Sequence, residues 1–133
     1  MISHISLTQT ILYVSDQQRS CAFYQDLFRK KADLNVPGMT EFNLSANCKL
    51  GLMPNAGIAK ILSGKTPPPE SGTGIPRCEL YFYVDDLPLE FDNALKIGAT
   101  LISQILKRDW GDTACYFSDP DGHIIAFAAK SGE

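Results

Sequence analysis

The 133-residue chain is 44% hydrophobic and 20% charged, with a formal net charge of -3, a balance that suits one globular domain. Without a basic surplus to hold phosphates, a nucleic-acid partner is not expected. No stretch approaches the roughly 18–20 apolar residues that span a bilayer, and residues 1–10 lack a basic segment followed by an apolar one, so the expected address is the cytoplasm, with no membrane partner.

The β-branched, aromatic and aliphatic run over 7–14 predicts a strand. Asp16 offers an N-cap to the amphipathic helix that follows, in which Phe23 and Leu27, and Tyr24 and Phe28, stand one turn apart. Pro37-Gly38 breaks the pattern, and 40–45 and 48–53 read as two strands joined at Ala46-Asn47. Residues 54–77 hold Pro54, Gly57, Gly64, Pro67-Pro68-Pro69, Gly72, Gly74 and Pro76. That density predicts a mobile connector rather than a ladder or a helix. The apolar 58–62 within it suits a short lid or interface turn, or a loop anchored by aliphatics.

The second half repeats the order. Strand 78–84 leads to a helix with Leu87, Phe91, Ala94 and Leu95 on one stripe, ended by Gly98, and strands follow near 100–106, 113–118 and 123–129. In Asp119-Pro120-Asp121-Gly122, proline suits the second turn position and glycine supplies a positive φ. Ile11-Leu12-Tyr13-Val14-Ser15-Asp16 returns 70 residues on as Tyr81-Phe82-Tyr83-Val84-Asp85-Asp86, so the chain reads as an internal duplication. The four cysteines, Cys21, Cys48, Cys78 and Cys115, form no CxxC pair, which argues against a disulfide framework or structural zinc. Alternation places Cys78 and Cys115 among buried hydrophobes.

Two βαβββ modules in tandem, V-S-D or V-D-D at each strand-to-helix junction, W-G before the seventh strand and F-x-D-P-D-G before the eighth together resemble the vicinal oxygen chelate superfamily. Its members include glyoxalase I, extradiol dioxygenases, fosfomycin-resistance enzymes and bleomycin-binding proteins. The resemblance runs from about Thr8 to Ala129. It implies an α+β fold of two βαβββ modules, each sheet curled into a half-barrel, in one domain over 1–133 with modules at 7–53 and 78–129 and a linker at 54–77. Metal-using members hold a divalent ion at four cavity-facing positions, which fall here on Gln9, Gly51, Glu79 and Ala126. A catalytic site of that type needs at least three protein donors. Glycine and alanine bring none, so no metal and no cofactor is expected, and Glu79 is left as the candidate catalytic residue.

Period-two alternation from those positions points Gln9, Ile11, Tyr13, Lys49, Met53, Glu79, Tyr81, Tyr83, Ala114, Tyr116, Ile124, Ala126 and Ala128 inward. Thr10, Leu12, Val14, Leu80, Phe82, Val84, Cys115, Phe117, Ile125 and Phe127 then pack under the helices. The expected ligand surface is Gln9, Tyr13, Lys49, Glu79, Tyr81, Tyr83 and Tyr116, with Trp110 either over its mouth or capping the end of the core. Glu79 is expected to be partly desolvated and partnered by Lys49, as a general base, an acceptor for a ligand amine, or one member of a structural network. His4 and His123 are expected to be solvated.

The resemblance implies a metal-free homodimer that binds a small organic molecule, like the drug-sequestering branch, because open half-barrels leave edges to pair. With Lys49 offsetting Glu79, an acidic pocket for bleomycin is not expected. Two alternatives stay open: a glyoxalase-like lyase or isomerase, or a transferase, using a rearranged metal site or Glu79 as base; and an interaction module with no ligand.

Overall fold

A computed structural model describes residues 4–132. The chain divides into two units, the first ending at Thr73 and the second beginning at Gly74. Each is built around a four-stranded mixed sheet, and three α-helices complete the described residues.

In the first unit, strand β1 (Thr8–Val14) leads through Ser15 to helix α1 (Gln17–Phe28). The Asp16 carboxylate accepts from the Arg19 N–H at 3.0 Å, satisfying one of the free donors of the first turn. Cys21, Tyr24 and Leu27 bury one helix face, and α1 stops at Arg29, whose φ is 55°. Strands β2 (Leu34–Val36), β3 (Met39–Ser45) and β4 (Cys48–Pro54) follow. The sheet order is β1-β4-β3-β2, with β1 and β4 parallel and the other pairs antiparallel. Strand β2 escaped the sequence reading because its three residues are all exposed and show no alternation. Leu12, Val14, Leu50, Leu52, Tyr24 and Leu27 belong to the core, all almost fully buried.

The predicted mobile connector is corrected: it holds helix α2 (Asn55–Leu62) and a single 3₁₀ turn at Pro69–Gly72. Pro54 precedes the helix with φ -65°, where a missing N–H costs nothing, and no further proline occurs before Pro67. Ile58 is the buried anchor of α2.

In the second unit, strand β5 (Glu79–Tyr83) leads to helix α3 (Leu87–Lys96), capped by the Asp86 side chain on the Leu89 N–H at 3.1 Å. Strands β6 (Thr100–Lys107), β7 (Asp112–Ser118) and β8 (Ile124–Lys130) complete the order β5-β8-β7-β6, with β5 and β8 parallel. This is the topology of the first sheet repeated, and neither sheet closes into a barrel. Cys115, Phe117, Ile125 and Phe127 are buried on the helix side, where Phe117 meets Phe91 of α3 at 5.4 Å between ring centroids. Cys78 is exposed rather than buried, because β5 starts one residue later, at Glu79.

The turn between β7 and β8 is organised by one carboxylate. Asp119 Oδ1 accepts from the Asp121 and His123 N–H groups at 2.9 and 2.8 Å, and the Gly122 N–H reaches the Asp119 carbonyl at 3.0 Å. Gly122 has φ 89°, and a Cβ there would stand 2.9 Å from the Gly74 Cα. The Gly74 N–H in turn donates to the Asp121 carbonyl at 3.1 Å. Gly122→Ala therefore meets both a left-handed backbone and a backbone wall, and should destabilise the chain by about 2–3 kcal/mol. Gly38→Ala, with φ 95° and nothing within 4 Å of its Cβ, should cost only the backbone share, about 1 kcal/mol. Equal losses for the two in denaturant unfolding would remove the role given to the Gly74 contact.

Candidate functional site: a tyrosine and carboxylate network on the second sheet

Strand pairing sets Tyr81 beside Ala126, itself opposite Tyr116, and sets Tyr83 beside Ala128, opposite Ala114. Between the large rings stand alanines, so the rings of Tyr81 and Tyr83 can meet edge to face at 5.4 Å. One step along the same face, Asp112 of β7 pairs with Lys130 of β8.

Asp112 is fully buried. Its Oδ2 accepts the hydroxyl protons of both Tyr81, at 2.7 Å, and Tyr83, at 2.8 Å. Its Oδ1 has no hydrogen-bond partner and faces the Lys130 ammonium at 3.4 Å. The Trp110 indole N–H donates to the Tyr81 oxygen at 2.9 Å, while most of the indole stays exposed. The Tyr81 hydroxyl holds the Asp112 carboxyl below the usual carboxylate range, against the opposing effect of burial, with help from Tyr83 and Lys130. Burial, and then the bond to Asp112, push the Tyr81 phenol up to about 12. The group is therefore a buried carboxylate that accepts from two phenol hydroxyls.

Tyr116 stands beside this network under the Arg108 guanidinium, 5.1 Å above its ring. Burial raises its pKa, and the Glu79 charge adds to the effect. Glu79 itself is exposed at the first position of β5, not desolvated as expected. His123 lies partly buried in the turn, with its N–H and carbonyl engaged by Asp119, and His4 is exposed.

On the first sheet a second cluster forms. Glu41 of β3 takes the Lys49 ammonium at 2.9 Å and the Gln9 amide N–H at 3.1 Å. The Lys49 hydrogen bond, followed by that of Gln9, holds the Glu41 carboxyl below its ordinary range. Lys49, expected to partner Glu79, is held instead by Glu41 on the neighbouring strand of its own sheet. A Cβ on Gly51 would lie 2.6 Å from Gln9 Nε2, so this glycine is what lets the Gln9 side chain cross to Glu41. Tyr13, on the same strand as Gln9, is partly exposed.

Four participants were missed from sequence: Asp112, Lys130, Arg108 and Glu41. Starting the seventh strand at 112 instead of 113 would have put Asp112 in phase with Ala114 and Tyr116, and Lys130 follows in phase with Ala126 and Ala128. Glu41 required the β3 register, which pairs it with Gly51.

The family model of the glyoxalase-like domain matches residues 7–130. The chain belongs to the glyoxalase-like family, and so to the vicinal oxygen chelate superfamily. An uncharacterised protein of Mycobacterium bovis is similar to this glyoxalase-like chain, 29% identical over 115 residues, covering 84% of this chain and 75% of that one. A glyoxalase/bleomycin resistance protein/dioxygenase family enzyme from Burkholderia phytofirmans has the same fold, with a TM-score of 0.79 at 18% identity over 95% of this chain and 99% of that one. A protein of Agrobacterium tumefaciens matches with a TM-score of 0.73 at 28% identity, over 93% and 96% of the two chains.

The glyoxalase-like chain does not fit the divalent ion that metal-using relatives hold. Gly51 and the fully buried Ala126 carry no side-chain donor, which leaves only the neutral Gln9 amide and the Glu79 carboxylate at the four positions, fewer than the three protein donors such a site needs. Among the described residues no three His, Cys, Asp or Glu side chains gather into a metal-holding group. No helix among them is long and apolar enough to cross a membrane.

Proposed function

We propose that this glyoxalase-like chain binds a small organic molecule against the Tyr81–Tyr116 face of its second sheet, without chelating it through a metal. The observation that carries the reading is the Asp112 network, in which a buried anion fixes two phenols and, through Tyr81, an indole that is left open to solvent. A fixed aromatic wall with a few oriented polar atoms is what small-molecule sites use. Glu79, Tyr81, Tyr83, Trp110 and Tyr116 are its ligand-facing residues, and Gln9, Tyr13 and Lys49 form the corresponding face of the first sheet. Membership in a family with glyoxalase and bleomycin-resistance folds supports a ligand at these faces. The two units act as one domain, and the chain works as a homodimer. Edge strands β2 and β6 support pairing, since Leu34, Val36, Ile102 and Leu106 expose apolar side chains there.

Trp110 is the one tryptophan of the chain, so its fluorescence reports this face alone. Titrating a metabolite and antibiotic panel into chelator-washed protein should give saturable changes that Tyr81→Phe weakens. About one tightly held ion per chain after washing would overturn the metal-free reading. Sedimentation of the same preparation at the mass of a single chain would remove the dimer. A second reading, a lyase, isomerase or transferase with Glu79 as base, is favoured by the solvent access of Glu79 next to the tyrosine wall. It requires turnover of a panel compound that Glu79→Gln abolishes.

A further inference from the structure

The binding reading above gains a ligand chemistry from the direction of its hydrogen bonds. A phenol has one proton to donate and lone pairs to accept, whereas an ionised carboxylate only accepts. Tyr81 and Tyr83 both commit their single protons to Asp112 Oδ2, at 2.7 and 2.8 Å. Turning either proton outward would strip a donor from a fully buried anion whose other oxygen, Oδ1, already has no hydrogen-bond partner. That loss exceeds what a new hydrogen bond to a ligand returns.

The phenol oxygens can therefore offer only lone pairs. One on Tyr81 is taken by the Trp110 N–H at 2.9 Å, and Tyr83 has a long contact with Lys130 at 3.4 Å. The carboxylate behind them makes the remaining lone pairs better acceptors.

The Arg108 Nε and Nη2 donors beside the face are already engaged. Arg108 donates to the Ala114 carbonyl at 2.8 Å, to Ser103 Oγ at 3.0 Å and to the Gln104 carbonyl at 2.9 Å. Lys130 is balanced by Asp112 at 3.4 Å and lies 4.9 Å from the Tyr83 ring centre. At the two phenol oxygens the face presents lone pairs and no proton, while the Lys130 ammonium at its edge stays largely exposed.

We propose that Asp112 is a positioning residue that fixes the hydrogen-bond polarity of the Tyr81 and Tyr83 oxygens, so that this face selects small aromatic ligands presenting an N–H or O–H donor over analogues that can only accept. Benzamide, methyl benzoate and benzoate are suitable probes. They share a ring and a carbonyl, and differ in carrying an N–H donor, no donor, or a negative charge. Binding is read from the Trp110 indole N–H resonance in the full chain at neutral pH.

Benzamide should bind about tenfold more tightly than methyl benzoate, the worth of one good hydrogen bond, and benzoate reports separately on the exposed Lys130 charge. In Asp112→Asn the new carboxamide can donate to one phenol and free its proton, so the benzamide preference should shrink to within about twofold. Asp112→Glu should retain part of the preference. A merely structural role for Asp112 would lower all three affinities together. Should Asp112→Asn not fold, the Tyr81→Phe and Tyr83→Phe variants answer the same question, because each removes one acceptor and should weaken benzamide while sparing methyl benzoate.

The proposal is overturned if methyl benzoate binds the unmodified chain as well as benzamide does, or if the ratio is unchanged in a folded Asp112→Asn. No response to any of the three probes would remove this inference, and no response to the wider metabolite and antibiotic panel would remove the binding reading as well. Binding without preference would remove only the inference.

Discussion

Phe117→Ala is expected to lower the unfolding free energy by about 3–5 kcal/mol, the range for removing a buried phenylalanine. Phe117 is fully buried on the helix side of β7 and packs on Phe91 of α3. Truncating it removes apolar area from the core and leaves a cavity between the second sheet and α3, where neighbours fixed by strand pairing can relax little. Ile102 on edge strand β6 is the matched control, being 56% exposed. Ile102→Ala should stay within about 0.5 kcal/mol of the parent. Denaturant unfolding of the two variants decides the point, and a loss below about 1 kcal/mol for Phe117→Ala would show that the packing of α3 on the second sheet is misplaced.

Stability should fall at both ends of the pH scale, and the Asp112 network should shape each limb. The folded Asp112 carboxyl lies below its unfolded value, chiefly because Tyr81 donates to it. Its contribution is complete above the unfolded value near pH 4 and is lost as pH falls through the folded one. Glu41 acts with the same sign through Lys49. Tyr81 has the opposite displacement, up to about 12. Its contribution is complete below the ordinary phenol value near 10 and is lost as pH rises from there through the folded value. Asp112→Asn should therefore flatten the acid limb, leaving the share of Glu41, and should soften the alkaline limb by removing the anion that keeps Tyr81 protonated. Tyr81→Phe should remove the alkaline share of this residue outright. Melting curves across the pH range check both, and a steeper acid limb in Asp112→Asn would contradict the ionised, phenol-held carboxylate.

What could be read from the sequence was whatever repeats with a period. Leu12 and Val14, and Cys115 and Phe117, alternate cleanly, and both pairs lie under helices. The capping role of Asp16 was visible because an N-cap needs only its own side chain and the next turn. The duplicated junction then carried the topology, which the two sheets share. The candidate site was legible only in part. Tyr81 and Tyr83 follow from alternation, but the group that joins them, Asp112, stands at the first position of a strand, where a one-residue error in the boundary changes the face. Glu41 was hidden for a different reason: its partners Gln9 and Lys49 are 32 and 8 residues away along the chain, and only the pairing of β1, β4 and β3 brings the three together. Helix α2 was lost to an overcount of breakers, since its prolines flank the helix without entering it.

The docking of Gly74 on the Asp119–Gly122 turn bears on how the duplicated halves could be dissected. Sequence similarity alone would start a second-half fragment at residue 78, where the repeated strand pattern begins. Such a fragment would lack the Gly74 N–H that satisfies the Asp121 carbonyl and the backbone against which Gly122 is packed. A cut before Gly74 keeps that seal on the β7–β8 turn, so the physical seam between the repeats lies upstream of the one that the repeat itself suggests.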